Sequence, residues 1–434
     1  MRHVGRRPTS SRWNVTDAVV VRPLVRPAFL KWSIVVFLLL VPFVVHAIWD
    51  YAESSRLARN IARIRENHEP LSVYDIEPRP RPFGGEPAAA ERFYGAAAVL
   101  ARSDEDDFRS RLSNRIADAE RAGRWPEALL ADMRRRVNSR EEAFRLLDRA
   151  TTLDFAGFAP GTSYNYRSGD LLGLANLAGV RTRLLAIEGR GDDSAQSLYS
   201  ELRLARTLEP VWRMSVVGGA ITGLVTLINN GAPGMEALSR VESGLAELDR
   251  DDLLKNHLLY ERATLLDNMN SRARQPAPEW IMRPWLFGIR APDPYRPALQ
   301  TINRRLELLA FQIEAANRPW PRKLDAAKDM NALGDQMWKR ADDGRGDIIA
   351  RGLALLRCGR IVIAVSRYRA DERKLPAVLE DLMPRYLGVM PIDPFSGKPL
   401  RYTTRDGGYS VSSVGSNRAG GRDLGLRIRA PVIQ

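Results

Sequence analysis

The sequence predicts a mainly α-helical protein: a single N-terminal transmembrane helix, a body of α-helical hairpins, and a small C-terminal α+β module. Three observations carry this. No charged residue occurs in the 18 positions from Trp32 to Trp49. From Ala88 to about Asn270 the apolar residues keep helical spacing, with few breaks. Near the C-terminus two short β-type runs flank the turn Arg405-Asp406-Gly407, whose Asp-Gly pair is a strong hairpin signal. The expected organisation is a basic cytoplasmic tail (1–31), the span (32–49), a stalk helix with a proline-rich spacer (50–87), a helical domain (88–344) and the α+β module (345–434).

The span is apolar without interruption from Ile34 to Val41. At about 1.5 Å per residue, 32–49 covers roughly 27 Å, just enough for a hydrocarbon core of about 30 Å. Trp32 and Trp49 stand where interfacial aromatics belong, and Pro42 is tolerable inside a membrane helix. Ahead of it lie Arg2, Arg6, Arg7, Arg12, Arg22, Arg26 and Lys31 against one acid, Asp17. That bias keeps the N-terminus in the cytoplasm and puts everything after Asp50 outside, in the periplasm if the membrane is a cell inner membrane. The competing reading is a cleaved signal peptide, with Val45-His46-Ala47 supplying small residues for a peptidase. The long basic n-region favours an anchor, and both readings place the bulk of the chain outside the cytoplasm.

Beyond the span, a helix from Ala52 to Asn67 leads into Pro70, Pro78, Pro80, Pro82 and Pro87, a density that excludes helix and predicts a semi-extended spacer. In the body, helix breaks are expected at Gly123-Pro126, Phe155–Gly169, Gly189–Asp193, Pro210 and Gly231–Gly234. Ala195, Leu198, Leu202 and Ala205 step by three, four and three, one face of a helix. With the preceding helix Leu171–Glu188 this unit resembles a tetratricopeptide-type hairpin, which implies an interaction surface. Trp125 and Trp212 are expected in the core. The segment Ser271–Pro297 interleaves six prolines with Trp280, Trp285 and Tyr295 and reads as a strap across the helices, or a lid.

A long helix from Arg345 to Ala370 opens the C-terminal module. Ile348, Leu355 and Val362 repeat every seven residues beside Ile349, Leu356 and Ile363, with Gly352, Gly359 and Ser366 along the same face. Small residues there predict close packing against a sheet or helix of the same module. Then follow Leu375-Pro376, Glu380-Asp381-Leu382, Pro391-Ile392-Asp393-Pro394, strands at Leu400–Thr403 and Gly408–Val414, and Gly420-Gly421-Arg422-Asp423-Leu424. In this order the stretch from Ile348 to Ile428 resembles the C-terminal part of the major pseudopilin of type II secretion systems. The resemblance implies a calcium-holding final loop, for which Asn417 and Asp423 are the matching candidates. One carboxylate, with Arg418 and Arg422 nearby in the loop, is a poor cage for calcium, and a loop closed by backbone bonds is the expected alternative. The chain lacks, at Lys31-Trp32-Ser33-Ile34, the glycine and glutamate that mark processing in that family, so the module reads as a borrowed domain.

No other chemistry-bearing pattern emerges. The net charge of +14 comes from a basic set in which 59 of 66 residues are arginine, spread along the chain rather than gathered in a stripe, which argues against nucleic acid as a partner. Cys358 is the single cysteine, which excludes an intrachain disulfide and a multi-thiolate zinc site. None of HExxH, GxSxG, a Walker loop or GxGxxG occurs. The acid run Asp104–Asp107 fits the first turn of a helix beginning near Phe108. The expected function is therefore non-enzymatic and needs no cofactor: a membrane-anchored scaffold or adaptor with protein partners, in a secretion or pilus-like apparatus. The alternative from another class is an extracytoplasmic hydrolase acting on envelope polymers through a groove in the helical domain.

Overall fold

α1 (Pro27–Glu66) is one uninterrupted helix of 40 residues that carries Pro42 in its interior. The computed structural model describes residues 27–76, 85–102, 106–153, 155, 168–274, 299–324, 344–415 and 424–429. Within them the protein is mainly helical with one three-stranded antiparallel sheet at the C-terminal end. Residues 77–84 of the proline-rich spacer, the aromatic strap beyond Arg274 and the final loop holding Asn417 and Asp423 lie outside the described residues. Where the spacer is described it holds helical segments, at Val73–Ile76 and from Glu86 on, rather than the extended chain expected, because Pro87 falls at the first turn of its helix, where proline is tolerated.

After the short α2 (Val73–Ile76) come α3 (Glu86–Leu100), α4 (Asp106–Ala122), α5 (Glu127–Asn138), α6 (Glu141–Thr151), α7 (Ser168–Ile187), α8 (Gly191–Arg206), α9 (Pro210–Asn230), α10 (Met235–Leu248), α11 (Leu253–Arg274) and α12 (Leu299–Ala315). The breaks fall where the local chemistry demands them. Gly123, with φ 65°, closes α4, and Pro126 precedes α5; Pro210 opens α9 at its first turn, where its missing N–H costs nothing. Of the acid run, Asp106 and Asp107 open α4, while Asp104 and Glu105 lie outside the described residues. α7 and α8 pack side by side, α9 lies across both, and α10 returns onto α8. Trp125 is half-buried against Leu112, Ile116 and Leu129, but Trp212 is exposed on α9 rather than in the core, contrary to expectation.

α13 (Arg345–Glu372) runs through the middle of the same hydrophobic core. Its small-residue face does not meet a partner from the C-terminal module, as the heptad pattern predicts, but α9 of the helical body. A Cβ on Gly352 would stand 2.5 Å from Met214 Cβ, and one on Gly359 2.5 Å from Ile221 Cδ1. The glycines let the two backbones approach, and the heptad pattern carries no information about which helix approaches. The sheet covers another side of α13, where the Tyr409 hydroxyl donates to the Val362 carbonyl at 3.3 Å.

The sheet has the order β1 (Arg401–Arg405), β2 (Gly408–Ser413), β3 (Leu424–Ile428). Asp406 and Gly407, with φ 53° and 72°, both adopt the left-handed conformation a two-residue hairpin needs. The Glu-Asp-Leu segment forms a single 3-10 turn, Leu379–Leu382.

The stalk expected between membrane and body is not free-standing. The second half of α1 packs on α12 and joins a small core in which Leu57, Ile61 and Ile64, spaced by four and three, meet Leu266, Ile302 and Leu306. Local sequence shows this apolar stripe but not what covers it, because the partner lies some 240 residues away.

Candidate functional site

The most distinctive feature of the surface is the first half of α1. Side chains there, from Trp32 to Trp49, include Ile34, Val35, Phe37, Leu38, Leu39, Leu40, Phe43, Val44 and Ile48, all exposed large apolar groups. The apolar stretch of Trp32–Glu66 is wholly exposed, and by length and composition the helix is long and apolar enough to cross a bilayer. α9 passes the same test of length and composition, but half of it is buried and it packs on α7, α8 and α13, which makes it a core helix.

Four residues after Trp49 the helix enters the body through a polar clasp. Buried Glu53 accepts from Asn303 Nδ2 through its carboxylate at 2.8 Å, and its carbonyl accepts from the same nitrogen at 2.8 Å. Asn60 donates to Asn303 Oδ1 at 3.2 Å. Arg56 forks onto Glu307 through Nε and Nη2, both at 2.8 Å, and this bond raises the already high pKa of the guanidinium. At the next level Arg262, only 1% exposed, donates to Glu69 at 2.6 Å, and Asp267 accepts from Ser72 and the Val73 N–H at 3.0 and 2.9 Å. A bidentate arginine pair and a fully buried asparagine fix direction as well as contact where α1 joins the body.

Two other places hold buried ionisable groups. Between α7, α8 and α9, Arg183 donates to Glu120 (2.7 Å), to the carbonyls of Gly179 (2.9 Å) and Gly219 (3.0 Å), and to the Thr222 hydroxyl. Beside it Glu201 is buried, one of its oxygens has no hydrogen-bond partner, and burial pushes its carboxyl up to about 8 against the pull of Arg183. Gly179 and Gly219 leave the room these two side chains fill. On α13, Arg357 pairs with Asp249 (2.9 Å) and Asp251 (2.8 Å), and Arg360 pairs with Glu242 (3.0 Å) and Asp249 (2.7 Å). This lattice ties α13 to α10 and the turn after it. Cys358 is buried, and its thiol is pushed up to about 12 by burial and the nearby Asp393, so it carries no thiolate.

The calcium candidates Asn417 and Asp423 lie outside the described residues. What leads into their loop is held by Asp393, the acid of Pro391-Ile392-Asp393-Pro394. It is 1% exposed and accepts from the Ser413 hydroxyl (2.8 Å), the Val414 N–H (3.0 Å), the Phe395 N–H (2.9 Å) and the Ser396 hydroxyl (3.2 Å). In the sequence, the signal for this role is an acid between two prolines in Pro391-Ile392-Asp393-Pro394, which by itself assigns Asp393 no partner. Among the described residues no three His, Cys, Asp or Glu side chains converge as a metal site would require. Comparison with protein families, with curated proteins and with solved structures finds no match.

Proposed function

We propose that this chain is a membrane-anchored, non-enzymatic scaffold or adaptor whose N-terminus is cytoplasmic and whose body stands outside, at the periplasmic side of an inner membrane. The observation that carries the reading is α1: an apolar sleeve, exposed all round, that continues without a break into a helix clasped by Glu53, Arg56, Asn303 and Glu307. A fully exposed row of leucines, valines and phenylalanines has no stable place in water, and lipid satisfies it. The seven basic residues ahead of it set the direction. Within this reading the body is a helical interaction surface of the tetratricopeptide type, and the C-terminal segment is a pseudopilin-like module fused into its core. That module is the reason to place the protein in a type II secretion or pilus-like apparatus.

In-cell crosslinking of the full chain, followed by identification of adducts, tests the adaptor role. Repeated adducts with other envelope proteins are expected, and a chain that crosslinks to nothing would contradict it. Cells lacking the chain should retain normally secreted proteins in the envelope; unchanged secretion would remove the apparatus from the account.

A further inference from the structure

Where α8 ends and α9 begins, one arginine has no acid. Half-buried Arg213 donates through Nε to the Leu208 carbonyl at 3.2 Å, and through Nη2 to the carbonyls of Arg206 and Leu208 at 3.0 and 2.9 Å. Among the described residues its Nη1 has no hydrogen-bond partner, and no carboxylate pairs with the guanidinium. Around it, Arg203 and Arg206 share one oxygen of Glu247, at 3.3 and 2.7 Å, and Arg250 forks onto Asp252 at 3.0 and 2.6 Å. Four arginines thus face two acids. Burial, then repulsion from Arg250 and Arg206, brings the pKa of Arg213 down to about 10, so it keeps its charge in a place short of negative charge.

The helix ends do not make up the difference. The carbonyl end of α8 offers about half a negative charge, and the N-terminal end of α9, whose first turn holds no acid, returns about half a positive one. Glu209, at the foot of α9, is turned to Tyr260. The surplus faces outward, with Arg206 partly exposed, Arg250 exposed, and the exposed Trp212 in the same turn as Arg213. An inorganic anion answers the arginines but not the tryptophan. A lipid carries both kinds of group, yet in the membrane reading this site lies far from the bilayer. Tyr260 is two residues from Arg262, which pairs with Glu69 beyond the end of α1, and Trp49 to Glu66 covers about 25 Å at 1.5 Å per residue. A second copy of a chain with net charge +14 is disfavoured by repulsion. We propose that the α8–α9 turn docks an acidic segment of a partner protein, with a carboxylate among Arg206, Arg213 and Arg250 and a neighbouring apolar side chain on Trp212. This names a partner class for the adaptor reading and rests on it.

The test is fluorescence anisotropy on the detergent-solubilised full chain with a labelled peptide of alternating glutamate and leucine. Saturable binding is expected, lost when glutamine replaces glutamate in the peptide. Arg206→Gln with Arg250→Gln, which leaves the Arg213 side-chain bonds in place, should weaken it about tenfold or more, and Trp212→Ala severalfold. Arg213→Gln should weaken it as well; if that variant fails to fold, the Arg206 and Arg250 pair decides, with melting curves as the check on folding. The docking proposal is overturned if the glutamate peptide does not bind, if the paired variant leaves binding intact, or if inorganic phosphate or vesicles of anionic lipid compete as well as unlabelled peptide. None of these results touches the crosslinking test, so the adaptor reading fails or stands on its own.

Discussion

Asp393 and Glu201 are both buried carboxylates, and the structure treats them in opposite ways. Asp393 collects four donors from two segments, the Pro391–Lys398 loop and the end of β2. Asp393→Ala strands those donors in a dry place, so chemical denaturation should show a loss of about 3 kcal/mol, with Asp393→Asn recovering part of it. Glu201 has an oxygen without a partner, and its folded value of about 8 lies above the ordinary 4.5. The fold therefore prefers the protonated form: the contribution is complete below about pH 4.5 and is lost as pH rises towards 8. Glu201→Gln, neutral at every pH, should raise the unfolding free energy more at pH 8 than at pH 5, by a few kcal/mol at most, as read by denaturant unfolding. Equal shifts at the two pH values would mean that Glu201 is ionised in the fold. Neither role was legible in the sequence, because each depends on groups brought from elsewhere: the end of β2 for Asp393, and the packing of α7, α8 and α9 for Glu201.

The α9–α13 contact belongs to the scale of elements. Both glycines on α13 leave space for α9, yet they face different atoms. A Cβ on Gly352 meets Met214 Cβ, which is tied to the backbone of α9, whereas one on Gly359 meets the tip of Ile221, which can swing aside. Alanine gains about 1 kcal/mol of helix propensity at either place. Gly352→Ala should nevertheless destabilise the full chain by about 1 to 3 kcal/mol in denaturant unfolding, while Gly359→Ala stays near neutral. Equal effects would show that the helices slide apart to accommodate either methyl. The helix and its glycine face were legible from the seven-residue repeat; the partner was not, because Met214 and Ile221 lie some 138 residues upstream in a helix whose own apolar pattern suits several neighbours. The hairpin was legible from its Asp406-Gly407 pair, which encodes the turn locally, although the first strand runs on to Arg405, past the Thr403 end expected for it.

For the whole molecule, the consequence is that one continuous helix carries the exposed apolar segment directly into the polar clasp of the body. The exposed apolar segment and its basic flank could be read from 49 residues of sequence, and the helix breaks from glycine and proline. The clasp could not: Arg56 and Glu307 are 251 residues apart, and nothing near either one announces the other. The core is likewise shared across residue 344, with α13 inside a cluster that also includes Ala90 and Tyr94. The central claim is that α1 crosses a membrane with the body outside. Cysteine labelling in intact cells tests it most directly, using a membrane-impermeant maleimide on Arg373→Cys, exposed after α13, and on Ser10→Cys in the basic tail, with the buried Cys358 as a silent background. The account predicts that Arg373→Cys is labelled at once and Ser10→Cys only after the membrane is permeabilised. Protection of Arg373→Cys in intact cells, or release of the labelled chain into the soluble fraction, would contradict it.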